Sequence, residues 1–461
     1  MNNNYFSFNS GTFLQGFVFI TLVICGSVQY FAGVSVILWL PVILALTMIA
    51  LMVLQVRFED FKLDQQEQIL LVLVVGFLLL ALSSTFLQHG LLVTIIGLKN
   101  EVGLMVVLIC LILGFCRESQ VNRIIKSFYF IFYVQFPVVL YQIFVIVPRR
   151  VAFSGEAESW DSVVGTFGGD PFGGGNTAAL GLFALLIMLL KVSEYKHGIT
   201  TLKSALLHVL GAFFICIVAE VKFVILLSPL LLVLLWISKS HLKGLKQYNI
   251  KMLLGMIAGL FFFISVAIFL LSLTYASAGE TDPSKGALGI FLESIDYILD
   301  TDIILENGEL GRFTTVFFWI QHADLNGIVG QLFGYGLNAT NRGSAISPGF
   351  LNVTFNVFLD STSLSVLLWE VGIIGTAMFM LIIAYSLKIC RATPVFDRER
   401  LSEDDIRLVS YVPALSVFGL ACLLTLPYSQ ILTVTPMLQL LCYFTLGANL
   451  IIRKSLMNAA K

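Results

Sequence analysis

Charged residues are scarce in this chain, making up 12% of its 461 residues, whereas soluble proteins carry about 25%. This scarcity excludes a soluble enzyme. Histidine and cysteine are also few, with five and seven residues. The histidines are scattered and no paired-cysteine or His-Glu motif with metal-ligand spacing occurs, so we expect no metal and no cofactor. A net charge of -1 gives no general attraction to nucleic acid.

Apolar residues fill the chain instead. Hydrophobic residues make up 58%, with 39 Phe and a mean hydropathy of +0.94. Apolar runs of about 17 to 25 residues, separated by charge clusters, predict an all-α polytopic membrane protein. Several runs are short, so we expect some tilt. Twelve spans are predicted near residues 12–32, 35–55, 69–88, 101–116, 127–147, 177–192, 205–219, 222–238, 252–275, 364–387, 408–427 and 432–452.

The positions of Lys and Arg predict the orientation, because cytoplasmic loops retain basic residues. With both termini inside, 20 of the 27 basic residues fall on the cytoplasmic side and seven on the outer side. The outer side then carries 17 acidic residues and the inner side 11. The expected location is therefore the bacterial inner membrane, crossed twelve times, with cytoplasmic termini.

Two long outer segments divide the chain. We expect spans 1–5 in residues 1–147, spans 6–9 with a first outer loop in 148–275, a large outer loop in 276–363, and spans 10–12 in 364–461. In the large loop, apolar positions at helical spacing from 288 to 299 predict an amphipathic helix at the membrane surface. A second helix is expected from 312 to about 325, followed by a Gly-rich turn, LFGYGLN.

Charges near outer span ends are costly to bury and are therefore candidate site residues. The alternative is that they reach the headgroups or pair with one another. Glu220 and Lys222 stand out, because VAEVKF interrupts an apolar stretch and predicts a helix break. The remaining outer candidates are Glu101, Arg149, Arg150, Arg312, Arg342, Asp360 and Glu370.

Arg312 lies in ELGRFTTVFFW at the start of an apolar helix. A guanidinium binds phosphate through paired hydrogen bonds, although pairing with Glu306 or Glu309 remains the alternative. The segment GTFGGDPFGGGNTAALG predicts a sharp bend before a helix that starts near Asn176. Free N–H groups at such a start can hold an anion, but a simple chain reversal explains the glycines equally well. For His322, packing or capping is the alternative to a ligand role.

Five motifs, in order, resemble the superfamily of O-antigen ligases and Wzy-type O-antigen and exopolysaccharide polymerases. They cover roughly residues 148–376: GTFGGDPFGGGNTAALGLF, the charged EVKF break, the long outer loop, GRFTTVFFWIQHADLNGIVGQLFGYGLN, and LDSTSLSVLLWEVGIIG with its Glu-x-Gly-x-x-Gly pattern. The resemblance implies a GT-C-like membrane glycosyltransferase that uses undecaprenyl diphosphate as the glycan carrier, without a metal or a nucleotide sugar.

The resemblance also implies roles for individual residues. Arg312 matches the family's loop arginine, and Lys222 stands where an arginine is common. The family's His-Asn pair before the helix glutamate is replaced by Asp360 and Ser361. Because ligases are thought to use that histidine as a base, its absence favours a polymerase.

The predicted reaction is therefore inverting glycosyl transfer between two lipid-linked repeat units at the periplasmic face. Arg312 and Lys222, assisted by Arg149, Arg150 and Arg342, would bind the diphosphate, and Glu220 or Asp360 would accept the proton. Implied partners are an undecaprenyl-diphosphate-linked oligosaccharide, the lipid bilayer and a chain-length regulator or other polysaccharide assembly proteins.

Other function classes remain open. Transfer to a lipid or protein acceptor by an O-antigen ligase is one alternative, and a twelve-helix secondary transporter or glycan flippase is another. Transporters are usually built from repeated halves, and no internal repeat occurs here. A flippase would need a cationic cavity at mid-membrane, whereas the outer cations cluster near one face.

Overall fold

The computed structural model describes residues 9–55, 63–154, 162–171, 174–245, 250–277, 289, 299–305, 307–342 and 348–459. Within these ranges the protein is all-helical, with three isolated β-bridges and no strand. Among the described residues, eight helices are long and apolar enough to cross a membrane: Ser10–Ala32, Ser35–Leu54, Gln65–Val102, Glu118–Arg150, Thr177–Lys196, Gly372–Arg391, Glu403–Thr425 and Pro436–Asn458. The protein is thus a polytopic membrane protein.

The individual helices are numbered along the chain. The first eleven are α1 Ser10–Phe19, α2 Gly26–Ala32, α3 Leu40–Gln55, α4 Gln65–Gly97, α5 Met105–Ile112, α6 Glu118–Tyr141, α7 Val147–Ser154, α8 Thr177–Lys196, α9 Leu202–Val218, α10 Lys222–Ile237 and α11 Ile250–Ser277. The other eight are α12 Thr314–His322, α13 Gly327–Phe333, α14 Phe350–Phe355, α15 Ser363–Glu370, α16 Gly372–Arg391, α17 Glu403–Thr425, α18 Ile431–Val434 and α19 Pro436–Ala459.

Three helices form the centre of the bundle. About four fifths of the most apolar window of each of α8, α17 and α19 is buried inside the protein, at 78%, 78% and 83%. The corresponding window of the spans that contain α3, α4 and α6 is only 28% buried. Those spans therefore turn apolar side chains outward, as helices facing lipid do.

Antiparallel α4 and α19 define the two ends of the bundle. At one end, Arg453 donates to Asp64 at 2.8 Å, and Asp64 caps the start of α4. At the other end, Gln439 donates to the carbonyl oxygen of Asn100 at 2.9 Å. Along α19, the step from Gln439 to Arg453 rises about 21 Å, which separates these two contacts. We call the Asn100 end the cap end.

Residues 299–305, 307–342 and 348–362, which we call the cap, cover this end. Buried Trp319, Tyr335 and Trp369 form the centre of a second hydrophobic cluster there, separate from that of the bundle. The Gly-rich turn lies against α4, where Gln88 donates to the Gly334 carbonyl at 3.3 Å and Thr85 accepts from the Leu337 N–H at 2.8 Å. The cap is thereby attached directly to a membrane span.

Several local predictions are confirmed. Helix α8 begins at Thr177, directly after Asn176. The charged break falls between Val218 and Lys222, and Glu220 has a positive φ of 54° there. The helix expected from 312 to about 325 spans Thr314–His322. Most of the amphipathic helix expected from 288 to 299 lies outside the described residues.

Three predicted spans differ in the structure. The run 364–387 is two helices, because Gly372 has a φ of 67° and breaks the chain between α15 and α16. The run 69–88 continues beyond a kink at Gly90 to Val102. The run 101–116 contains only a short helix, Met105–Ile112, because a turn at 103–104 precedes it and another at 113–114 follows it. Hydropathy alone could not show these backbone reversals.

Candidate functional site

Hydrogen bonds between two segments of the cap, residues 308–312 and residues 358–361, position Arg312. The Phe358 N–H donates to the Gly308 carbonyl at 2.8 Å, and Ser361 Oγ donates to the Leu310 carbonyl at 2.7 Å. These bonds place the GRF segment beside the LDST segment. The Arg312 guanidinium is half-buried and donates to the Ser361 carbonyl oxygen. Arg312 therefore lies beside Asp360 and Ser361, the two positions where the sequence departs from the family pattern that it resembles.

Arg342 lies near the same two segments. Its guanidinium carbon is 3.8 Å from the centroid of the Phe358 ring, within the range of a cation–π contact. Its Nη1 atom is 3.6 Å from Glu309 Oε2, and its side chain is 46% exposed. The guanidinium is thus oriented by an aromatic ring and a carboxylate but remains open to solvent, so a phosphate can reach it.

Asp360 directly precedes Ser361, whose carbonyl accepts from Arg312, and the charge of Arg342 acts on its carboxyl group. Burial raises the pKa of Asp360 to about 6, and the charges of Glu309 and Glu370 act in the same direction. A backbone hydrogen bond and the charge of Arg342 oppose that rise. A carboxylate with a pKa near 6 accepts a proton at neutral pH better than an ordinary aspartate does. The pKa of Asp360 thus lies closer to neutral pH than that of an ordinary aspartate.

The 426–435 connection between α17 and α19 completes the surroundings of Asp360. With the Gln430 amide oriented by its hydrogen bonds, its nitrogen donates to Asp360 Oδ2 at 3.1 Å and to the Asp360 carbonyl at 2.7 Å. The Ser363 and Leu364 N–H groups donate to the Ser429 and Leu426 carbonyls at 3.0 and 2.8 Å. These bonds fix the backbone that follows Asp360.

Tyr428 in the same connection links Arg312 to the charged helix break. The Arg312 guanidinium carbon is 6.0 Å from the Tyr428 ring centroid. The Tyr428 ring stacks on Phe223 with centroids 4.5 Å apart, and Phe223 directly follows Lys222. Glu220 and Lys222 are both half-buried. The structure therefore brings the EVKF and GRF motifs to one region of the cap end.

Arg149 and Arg150 lie in α7 and have different surroundings. Arg149 is exposed, whereas Arg150 is 8% exposed and donates to Ser162 Oγ at 2.8 Å. Ser162 in turn donates to the Pro171 carbonyl at 3.1 Å. Arg150 thus stabilises the Gly-rich loop. A diphosphate-binding role for either arginine remains a prediction.

Two glutamines hold the Gly-rich loop, and sequence reasoning missed both. Gln142 accepts from the N–H groups of Val164 and Gly165 at 3.1 and 2.8 Å. Gln135 accepts from the Thr166 N–H at 2.9 Å. These three N–H groups are therefore occupied by side chains rather than open to an anion. The signal in the sequence was a pair of glutamines spaced by two helical turns within an apolar span.

The loop still connects to the Asp360 region. Thr435 Oγ1 donates to Asn176 Oδ1 at 3.2 Å, and Thr433 Oγ1 contacts Ser363 Oγ at 3.3 Å. The 426–435 connection thus lies between the loop and the cap. Its polar run YSQILTVT, between two apolar spans, was the sequence signal for this role.

Glu101, Glu370 and His322 complete the list of candidates. Glu101 and Glu370 are 6% and 1% exposed. His322 stacks on Phe318 with ring centroids 4.2 Å apart and contacts the Phe318 carbonyl at 3.0 Å, which is a packing role. Among the described residues, no group of three or more His, Cys, Asp or Glu side chains could hold a metal ion.

The sequence as a whole was also compared with known proteins. No model of a protein family matches the chain, and no curated protein matches it.

Proposed function

We propose that the protein is a polysaccharide polymerase of the bacterial inner membrane. In this proposal twelve spans with both termini in the cytoplasm place the cap on the periplasmic face, in a GT-C-like arrangement. The four spans beyond the eight long apolar helices are α5 and the segments around α9, α10 and α11. The protein transfers a glycan from undecaprenyl diphosphate to the terminal hydroxyl of another lipid-linked repeat unit.

One observation carries the proposal. Two arginines and a carboxylate with a raised pKa, Arg312, Arg342 and Asp360, come together from three separate stretches of the chain. Transfer from a diphosphate carrier requires cations for the growing negative charge of the leaving group and a base for the acceptor hydroxyl. The site offers both kinds of group at the same end of a membrane bundle.

The proposed reaction is a single displacement. The acceptor oxygen attacks the anomeric carbon while the bond from that carbon to the diphosphate oxygen breaks, and the leaving oxygen keeps the electron pair. Asp360 accepts the hydroxyl proton. Arg312 and Arg342 stabilise the departing undecaprenyl diphosphate, with Lys222 contributing a third positive charge from the adjacent helix break. Attack from the opposite face inverts the configuration at the anomeric carbon.

Asp360 fits the role of base better than Glu220. Asp360 adjoins Ser361, whose carbonyl oxygen accepts the hydrogen bond from Arg312, so a sugar bound at the arginine lies close to this carboxylate. Glu220 belongs to the turn between α9 and α10, and its N–H donates to the Ile217 carbonyl at 3.1 Å. In the proposal Glu220 shapes the helix break that presents Lys222.

The lipid-linked glycans of a strain lacking the protein test the proposal. We expect single repeat units to accumulate on the carrier. Accumulation of long carrier-linked chains would instead indicate a ligase that transfers finished polymer to a lipid or protein acceptor. Unchanged carrier-linked pools would contradict both activities and favour a transporter unrelated to these glycans.

A further inference from the structure

Two carboxyl groups lie in contact beneath the cap. Glu101 belongs to the helical turn that follows α4, and Glu370 is the last residue of α15. Both residues line one small cavity, within reach of a hydrogen bond from one carboxyl group to the other when one of them carries a proton. An ionised carboxylate can only accept hydrogen bonds, so a bond between two carboxyl groups requires a proton on one of them. Within the described residues Glu370 Oε2 has no other hydrogen-bond partner.

The remaining oxygens of the pair bind the cap backbone. Glu101 Oε1 accepts from the Asn338 N–H at 2.9 Å. Glu370 Oε1 accepts from the Thr340 N–H at 2.9 Å and from Thr340 Oγ1 at 2.7 Å. Arg342 follows two residues later. The carboxyl pair therefore holds the short segment from which the Arg342 side chain reaches Phe358 and Glu309.

The surroundings disfavour a second negative charge. The two glutamates line a small cavity whose other walls are mostly apolar, including Phe77, Leu337 and Phe379. In the described part of the chain no ion pair reaches either carboxyl group. Two carboxylates in contact in such a place repel each other strongly, and each loses its hydration.

Three other titratable groups, Lys99, His89 and Asp360, lie on the elements that surround the pair. Lys99, on the same turn as Glu101, donates to Asn100 Oδ1 at 2.8 Å and lies 5.8 Å from the Trp39 ring centroid. His89 on α4 contacts the Tyr335 carbonyl at 2.6 Å. The negative charges of Asp360 and Glu370 repel each other.

We propose that Glu101 and Glu370 are positioning residues that share one proton and, in that state, hold residues 338–342 so that Arg342 faces Asp360. Loss of the shared proton leaves two repelling carboxylates, and the segment separates from the bundle. A role for Arg342 in glycosyl transfer rests on the proposed function. The attachment of residues 338–342 to the bundle, however, can be measured without any substrate.

The variant Glu370→Gln tests the shared proton. The glutamine amide supplies a permanent N–H donor to Glu101, and its oxygen still accepts from Thr340, so the contact no longer needs a titrating proton. Glu101→Gln makes the reciprocal replacement. Both side chains have nearly the same size as glutamate, so the packing is preserved.

Thiol labelling reports attachment of the segment. Ala339 is 2% exposed and lies between the two anchored residues, so Ala339→Cys places a small buried thiol there. Ile328→Cys, at a position that is 69% exposed in the same cap, corrects for the pH dependence of maleimide chemistry. All seven native cysteines are buried and free, so the parent protein gives the background.

We expect the labelling rate of Ala339→Cys, divided by that of Ile328→Cys at the same pH, to rise about tenfold or more between about pH 6 and about pH 10. The rise should disappear when Ala339→Cys is combined with either glutamine variant. A rise that persists in both variants would overturn the proposal, and so would a constant rate in the parent. Fast labelling of Glu370→Gln at every pH would overturn it as well.

Polymerisation is assayed in parallel to separate the two proposals. If the labelling pattern appears but the parent forms no polymer, the positioning pair stands and the proposed function fails. If the parent forms polymer, the Glu370→Gln variant should keep its activity at neutral pH and lose the decline at alkaline pH. An unchanged alkaline decline in that variant would contradict the positioning role.

Discussion

The surroundings of Asp360 determine the pH at which it can accept a proton. Burial raises its pKa to about 6, and Arg342 acts in the opposite direction. Below about pH 6 the carboxyl group is protonated and cannot act as a base, so the polymerisation rate should rise with pH through this range. In Asp360→Asn we expect the rate to fall by about 10²-fold to 10⁴-fold, the usual contribution of general base catalysis.

Arg342 provides a test of this assignment. The variant Arg342→Gln removes a positive charge that lowers the pKa of Asp360, so the rise in rate should move to higher pH. The measurement is the pH profile of polymerisation by protein in liposomes. Lys243→Gln is the control, because Lys243 is 63% exposed and pairs with Asp397 at the opposite end of the bundle. A profile that stays in place in Arg342→Gln would argue against Asp360 as the base.

Two glycines, Gly334 in the cap and Gly372 at the start of α16, allow the cap to pack closely against the bundle. Gly334 has φ 75° and ψ −174°, a region that only glycine adopts readily. A Cβ atom at Gly334 would lie 2.4 Å from the Glu370 carbonyl carbon, and one at Gly372 would lie 2.5 Å from Leu332. These close approaches allow the cap to reach the break between α15 and α16.

Gly90 provides a matched control for Gly334. Gly90 has nearly the same backbone, φ 76° and ψ −176°, but nothing lies within 4 Å of a Cβ atom added there. Gly90→Ala should therefore show only backbone strain, on the order of 1–3 kcal/mol. Gly334→Ala should lower the thermal unfolding temperature further because it adds a clash with backbone. Equal losses in the two variants would show that the close approach does not matter.

Some features of these helices could be predicted from the sequence, and others could not. The start of α8 after Asn176 and the break before Lys222 were predictable, because a polar residue that favours helix starts and a pair of charges interrupt the apolar runs at those points. The break at Gly372 was not, since an apolar run has the same hydropathy whether its backbone is straight or reversed. Gln430 and Tyr428 were missed for another reason: their partners lie far away in the chain, and no local pattern marks such contacts.

The distribution of basic residues makes a prediction about the whole molecule. The charge count predicts that the cap lies on the periplasmic side and the 391–402 connection on the cytoplasmic side. A membrane-impermeant maleimide should therefore label Ile328→Cys in intact cells, and label Glu399→Cys only after permeabilisation. Both positions are exposed, and the parent protein with its buried cysteines serves as the control. Labelling of Glu399→Cys in intact cells would reverse the orientation.

Glycosyl transfer by the purified protein tests the central claim most directly. The protein in liposomes is given undecaprenyl-diphosphate-linked repeat units, without a nucleotide sugar, and the chain length of the product is measured with the released undecaprenyl diphosphate. We expect polymer from the parent and a rate lower by about 10²-fold to 10³-fold in Arg312→Ala, as when a donor to a developing oxyanion is removed. Arg312→Lys should recover only part of the rate, because lysine keeps the charge and loses the planar fork. Polymer formed at the parent's rate by folded Arg312→Ala would contradict the account.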